Sequence, residues 1–333
     1  TITGVGTITV NGLLSNVSNG DFTGEELLLT TILAGSQETA SYAAGVPSIT
    51  NEASMDFDSI TVGNGTEFYN YGTASADSFV VEEGGYYLNS TKVSTHSIMP
   101  FADAGSTDAY RNYSVSGEYT NAGDSYLGNA TVTGTGKISN TGNLYTGESD
   151  RFVDGTGMTI AAGGQLLNSG TAVLASSLQN AGTIRGDGSV TFKHGGLGTN
   201  VFENTGTIDV VTFATDGEIT YNQSGVDSTF TADNGWFTGA TINVSEGTMS
   251  HQDAGSGNTY NLGVQGDAVI ANQATVSFGT IDSNNVFNIY TGSTLKVESI
   301  NLTENEKTVN LLGGTLSTTL DQIFGDIRYT ALD

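Results

Sequence analysis

Asn180-Ala-Gly-Thr-Ile184 and Asn204-Thr-Gly-Thr-Ile208 are two copies of one short unit. The unit returns, degenerate, at Asn70-Tyr-Gly-Thr-Ala74, Asn140-Thr-Gly-Asn-Leu144 and Asn168-Ser-Gly-Thr-Ala172, and Asn121-Ala-Gly123 keeps its first half. From Asn121 to Asn204 the gaps are 19, 28, 12 and 24 residues. Short runs alternating with period two surround these units: Thr7-Ile-Thr-Val10, Thr131-Val-Thr133, Ser189-Val-Thr-Phe192, Thr207-Ile-Asp-Val210, Thr241-Ile-Asn-Val244 and Thr294-Leu-Lys-Val297. Branched Thr and Val side chains suit a pleated surface, while Asn and Gly supply the positive φ of a corner with little strain. An irregular repeat of about 20 residues, made of strands of four or five residues and Asn/Gly corners, predicts a parallel β-helix. Stacked coils then lay like residue on like, Asn on Asn and Thr on Thr. An antiparallel sandwich instead breaks into domains of about 100 residues with Pro-bearing turns. Here the texture continues through 333 residues with two prolines. The expectation is one all-β solenoid domain over 1–333.

Two regions depart from the texture. Residues 67–126 hold Tyr69, Tyr71, Tyr86, Tyr87, Tyr110, Tyr113, Tyr119 and Tyr126, together with His96 and Met99-Pro100-Phe101. They form either a loop-rich insertion on the solenoid or a set of aromatics stacked inside wider coils. In Gly24-Glu-Glu-Leu-Leu-Leu-Thr-Thr-Ile-Leu33, apolar residues recur at i, i+4, which fits a short helix as well as a buried strand.

Composition narrows the function. There are 46 Gly and no Cys; 35 acids face 9 bases, a net charge of −26. Without Cys, a disulfide scaffold, a Cys-based zinc module and thiol redox chemistry are excluded. So acidic a chain repels a phosphate backbone, so nucleic acid is not an expected partner. No stretch approaches the roughly 20 apolar residues that span a bilayer. No charged-then-apolar leader opens the sequence, so an export signal is expected to have been removed.

Catalytic and metal motifs are each broken or isolated in this sequence. His96, His194 and His251 stand far apart without ligand spacing and read as loop histidines. Asp56 and Asp58 share a strand face and read as a solvated acidic surface. Gly123-Asp-Ser-Tyr126 departs from the Gly-Asp-Ser-Gly of serine hydrolases at Tyr126. Thr133-Gly-Thr-Gly-Lys137 is followed by Ile138 where a P-loop needs Ser or Thr. The Gly-Gly-x-Gly-x-Asp calcium nonapeptide is missing, although scattered Asp and Asn offer weak oxygen ligands. No enzyme activity, cofactor or metal is expected.

The Asn-x-Gly-Thr-Ile units, the Gly/Thr/Asn texture, the missing Cys and the acidity resemble autotransporter passenger domains of Gram-negative bacteria. Val309-Asn-Leu-Leu-Gly-Gly-Thr-Leu-Ser-Thr-Thr-Leu-Asp-Gln-Ile-Phe324 is similar to passages of large autotransporter adhesins. The resemblance implies a right-handed β-helix, exported to the bacterial surface as a passenger and tied to the membrane only through a translocator barrel absent from this sequence. It implies adhesion, with a host receptor, a glycan or a matrix protein as partner. Some passengers of this kind instead pair with themselves, driving aggregation and biofilm formation; β-helices that act on polysaccharides form a third class.

Three sets of residues are candidate contacts. The aromatics Tyr69, Tyr71, Tyr86, Tyr87, Tyr110 and Tyr113 would stack on sugars or anchor a protein. Trp236 is the single tryptophan. Arg185-Gly186-Asp187 resembles the integrin-recognition tripeptide, with Asp187 completing the receptor's metal site and Arg185 reaching an acidic pocket. The same three residues also suit a tight corner between two strands.

Overall fold

The computed structural model describes residues 2–10, 13–16, 21–29, 48–51, 54–71, 73–89, 97–98, 112–147, 157–195, 200–235, 237–263, 274–281, 285–300, 308–318 and 327–329. The chain divides into two compact units, Thr1–Ala172 and Val173–Asp333. Each is a parallel β-solenoid, and no helix occurs among the described residues.

In the first unit one sheet is built from four-residue strands of a common design. Ser48–Asn51, Glu67–Asn70, Tyr86–Asn89, Glu118–Asn121, Lys137–Asn140 and Gln165–Asn168 each pair in parallel with the next. Period-two alternation sends the second and fourth residues of each strand inward. The second positions form one core column: Ile49, Phe68, Tyr87, Tyr119, Ile138 and Leu166. A facing sheet supplies Ile60, Phe79, Tyr113, Ala130 and Met158 in mutual register. Phe79 meets Tyr87 across the core at 4.8 Å and stacks on its own sheet neighbour Tyr113 at 5.9 Å.

The fourth positions are asparagines, and they are buried. Each side-chain amide donates to the carbonyl oxygen of the next: Asn51 to Asn70 at 2.7 Å, Asn70 to Asn89 at 3.0 Å, and Asn89 to Asn121 at 2.9 Å. Asn121 to Asn140 and Asn140 to Asn168 follow, both at 2.7 Å. The second N–H closes the corner: Asn121 Nδ2 reaches the carbonyls of Gly123 and Asn143 at 3.0 Å each. A carboxamide has two donors and one acceptor oxygen with two lone pairs, so it satisfies the neighbouring coil and its own turn together. This is why the sequence repeats Asn before Gly. Asn51 and Asn89 belong to the same ladder, although the Gly two residues later is missing from both.

In the second unit one sheet stacks Leu178, Phe202, Tyr221, Ile242, Tyr260, Phe287 and Val309 in register. The other stacks Ile184, Ile208, Phe230, Met249, Val276 and Leu295. Asn180 donates to Asn204 at 2.9 Å, and the next coil substitutes Gln223, which accepts from the Tyr221 hydroxyl at 2.6 Å. A second ladder lies on the outer face: Asn222 donates to Glu203, and Asn243, Asn261, Asn288 and Asn310 each donate to the rung before, all at 2.8 Å.

Two expectations need correction. The corner residues of the Asn-x-Gly units, such as Asn140 and Gly142, do not take positive φ; Gly is needed there because a Cβ would meet the backbone of the coil before. Strands are not uniformly four or five residues long: Ile2–Val10, Ser54–Val62 and Thr73–Val81 have 9 residues and Thr183–Lys193 has 11. A register shift absorbs a bend within some of them, as between Gly4 and Thr7. At Gly24–Leu29, where the sequence fits helix and strand alike, the strand Asp21–Leu29 forms, because parallel partners on both sides take its backbone groups. Residues 30–33 lie outside the described residues.

Candidate binding surfaces

The outward positions of the first unit's four-residue strands form two rows. One reads Glu67, Tyr86, Glu118, Lys137 and Gln165; the other reads Tyr69, Leu88, Thr120, Ser139 and Leu167. Tyr69 and Tyr86 therefore sit diagonally on neighbouring strands, both half-buried, with ring centroids 6.0 Å apart and tilted by 59°. Tyr71, in the bend after Glu67–Asn70, is near enough to act electrostatically on Tyr69. The Tyr69 hydroxyl donates to Glu67 Oε2 at 2.5 Å. That bond, then burial, then the carboxylate's charge, push its pKa from the ordinary 10 up to about 12. At neutral pH the hydroxyl is thus a donor to Glu67. Further along the face Lys137 Nζ contacts Glu118 Oε1 at 2.8 Å, both half-exposed. Aromatic rings among carboxylates and one ammonium can stack on a sugar face or anchor a protein loop.

The other tyrosines have different fates. Tyr87 and Tyr113 lie in the core, so the contact surface falls to Tyr69, Tyr71 and Tyr86. Burial raises the pKa of Tyr87 and of Tyr119, the latter opposed by a hydrogen bond with Ser125. Tyr126, almost covered, stacks on half-buried Tyr145 at 4.7 Å and 8°. Tyr110 and Trp236 lie outside the described residues, as does His96.

Arg185 and Asp187 are both exposed, but they belong to the paired strand Thr183–Lys193. Arg185 is in register with Asp209 and Gly186 with Val210, and the ladder shifts between Gly186 and Ser189. Gly186 takes φ 142° there. The tripeptide thus lies within a strand, its Arg185 and Gly186 paired and Asp187 in the bulge with Gly188, where the corner reading places a turn between two strands.

His251, read as a loop residue, is instead buried in the strand Thr248–Asp253, its ring 6.3 Å from that of Phe230 and 6.2 Å from that of Phe237. The local run Thr-Met-Ser-His places it two residues after buried Met249, on the inward parity. His194 and Asp58 are exposed. Among the described residues no group of three or more His, Asp or Glu is placed to hold a metal ion. Comparison with protein-family models, curated proteins and solved structures returns no match.

Proposed function

We propose that the chain is a bacterial surface adhesin of the autotransporter-passenger kind, acting by binding and not by catalysis. The reading is carried by half-buried Tyr69 and Tyr86 on the outer face of a parallel sheet, with half-buried Tyr71 in the bend beside them, where backbone pairing already fixes their positions for a partner. The solenoid fold and the Asn, Thr and Gly texture of its corners fit the passenger resemblance. The partner is a host receptor, glycan or matrix protein offering sugar rings or an apolar loop to those tyrosines.

Beads coated with the protein are expected to attach to epithelial cells, and the double variant Tyr69→Ser, Tyr86→Ser to lose about tenfold or more of that attachment, the effect of deleting a central aromatic contact. Far-UV circular dichroism should be unchanged, since both side chains face outward. Wild-type beads that attach no better than uncoated ones, or a variant that attaches as well as wild type, would defeat the reading.

The outer Asn222–Asn310 ladder favours a second reading, pairing between copies of the chain. Each rung spends one N–H and one lone pair on its neighbours and keeps one of each for another molecule. At a net charge of −26, such pairing must wait for screening. Sedimentation velocity should then show dimers that increase with salt and disappear in Asn243→Asp, Asn261→Asp; a monomer at every salt concentration counts against it.

A further inference from the structure

The second unit also holds a groove that neither reading uses. Thr231, Ser250, Ser277, Lys296 and Ser317, from five successive parallel strands, stand in register as one outward row. The next outward positions bring Asp233, Gln252 and Glu298 beside them, all three exposed. These side chains line an open groove of about 530 Å³, with buried Phe278 and Val297 beneath.

We propose that this groove binds a neutral oligosaccharide. Its walls are hydroxyls, one carboxamide, two carboxylates and one ammonium, a mixture that matches the interleaved donors and acceptors of a sugar. Asp233 is an acceptor-only group whose two oxygens can take both hydroxyls of a vicinal diol, and Glu298 adds a second carboxylate further along the groove. Lys296 lies two residues from Glu298 on the same face and adds the row's ammonium donor. The row crosses four strand spacings, about 19 Å, and each spacing is close to the length of one extended hexose. The volume falls within the range of pockets that hold small ligands.

Charge selects the class of glycan. A sulfated or sialylated chain requires cations; here one lysine stands against two carboxylates, on a protein of net charge −26. Uncharged hexoses meet no such repulsion. The groove shares no residue with the aromatic surface of the first unit, so the two sites stand or fall separately.

The whole chain is titrated calorimetrically with four hexasaccharides at equal concentration: β-1,4-linked glucose, α-1,4-linked glucose, β-1,4-linked N-acetylglucosamine, and a sulfated hexasaccharide from heparin. At least one neutral chain is expected to bind with Kd below about 1 mM, and the sulfated one not to bind. Ser277→Tyr, which fills the middle of the row, and the double variant Asp233→Ala, Glu298→Ala should each weaken that binding tenfold or more. Tyr69→Ser, Tyr86→Ser should leave it unchanged. Failure of all three neutral chains, tighter binding of the sulfated one, or binding that survives both groove variants overturns the proposal. Binding abolished by the tyrosine variant alone also overturns it, and moves the glycan to the first unit.

Discussion

Asn140→Ala should lower the stability of the first unit by about 3 kcal/mol, because it removes a buried rung from the middle of the asparagine ladder. The side chain accepts from Asn121 at 2.7 Å and donates to Asn168 at 2.7 Å, to Gly142 O at 3.1 Å and to Thr171 O at 3.0 Å. Alanine takes away all four hydrogen bonds inside a coil closed to water. Stranding a buried polar group costs about 1–3 kcal/mol, and several groups lose a partner together. Asn129→Ala is the control. Asn129 also donates to an asparagine one coil away, Asn112 at 3.1 Å, but at the surface, where water replaces the lost partner. It should cost under about 1 kcal/mol. Urea denaturation of both variants checks the difference, read alongside amide exchange at 118–143, since solenoids unfold by repeats and not all at once. Equal losses would mean that burial is not what gives the ladder its weight.

Gly142→Ala should cost as much or more, for a different reason. A Cβ on Gly142 would stand 2.1 Å from the carbonyl oxygen of Gly123 in the coil before, and one on Gly170 would stand 2.1 Å from the oxygen of Gly142. Both obstacles are backbone. Asn143 N–H donates to that same Gly123 oxygen at 2.9 Å, so the coils cannot separate without stretching the ladder. Overpacking of this kind costs about 1–3 kcal/mol and more where backbone must move. Gly134 separates sterics from conformation: its φ is +57°, yet nothing lies within 4 Å of its would-be Cβ. Gly134→Ala should lose only about 1–2 kcal/mol, and Gly134→Asn less, since Asn tolerates the left-handed region. Thermal unfolding and limited proteolysis rank the three. A milder Gly142→Ala than Gly134→Ala would show that the corners have slack.

The sequence carried the parallel stacking plainly, because a ladder of identical side chains needs the same residue at the same place in every coil. Asn70, Asn121, Asn140 and Asn168 announce it through the Gly two residues on. Asn51 and Asn89 do not, and only their register with Asn70 reveals them. Inward and outward asparagines were separable in principle by parity. In Glu67-Phe-Tyr-Asn70 the Asn follows a core aromatic by two and points in; in Thr259-Tyr-Asn-Leu262 it follows by one and points out. The tyrosines defeated that test. Tyr86-Tyr-Leu-Asn89 has an aromatic on each parity, and both faces of a strand accept one.

By itself, then, the sequence determined an all-β chain of stacked coils with Asn and Gly at its corners and a strongly acidic charge, since these follow from local propensity, repetition and composition. Tertiary structure alone decided that Tyr87 packs against Phe68 and Phe79 while Tyr86 faces outward beside Tyr69, and that Arg185 to Asp187 run along a strand into a bulge. It alone also gathered Thr231 through Ser317 into one row. In a parallel solenoid lateral neighbours come from different coils, so a surface is set by register between residues some 20 positions apart or more, which no local pattern records.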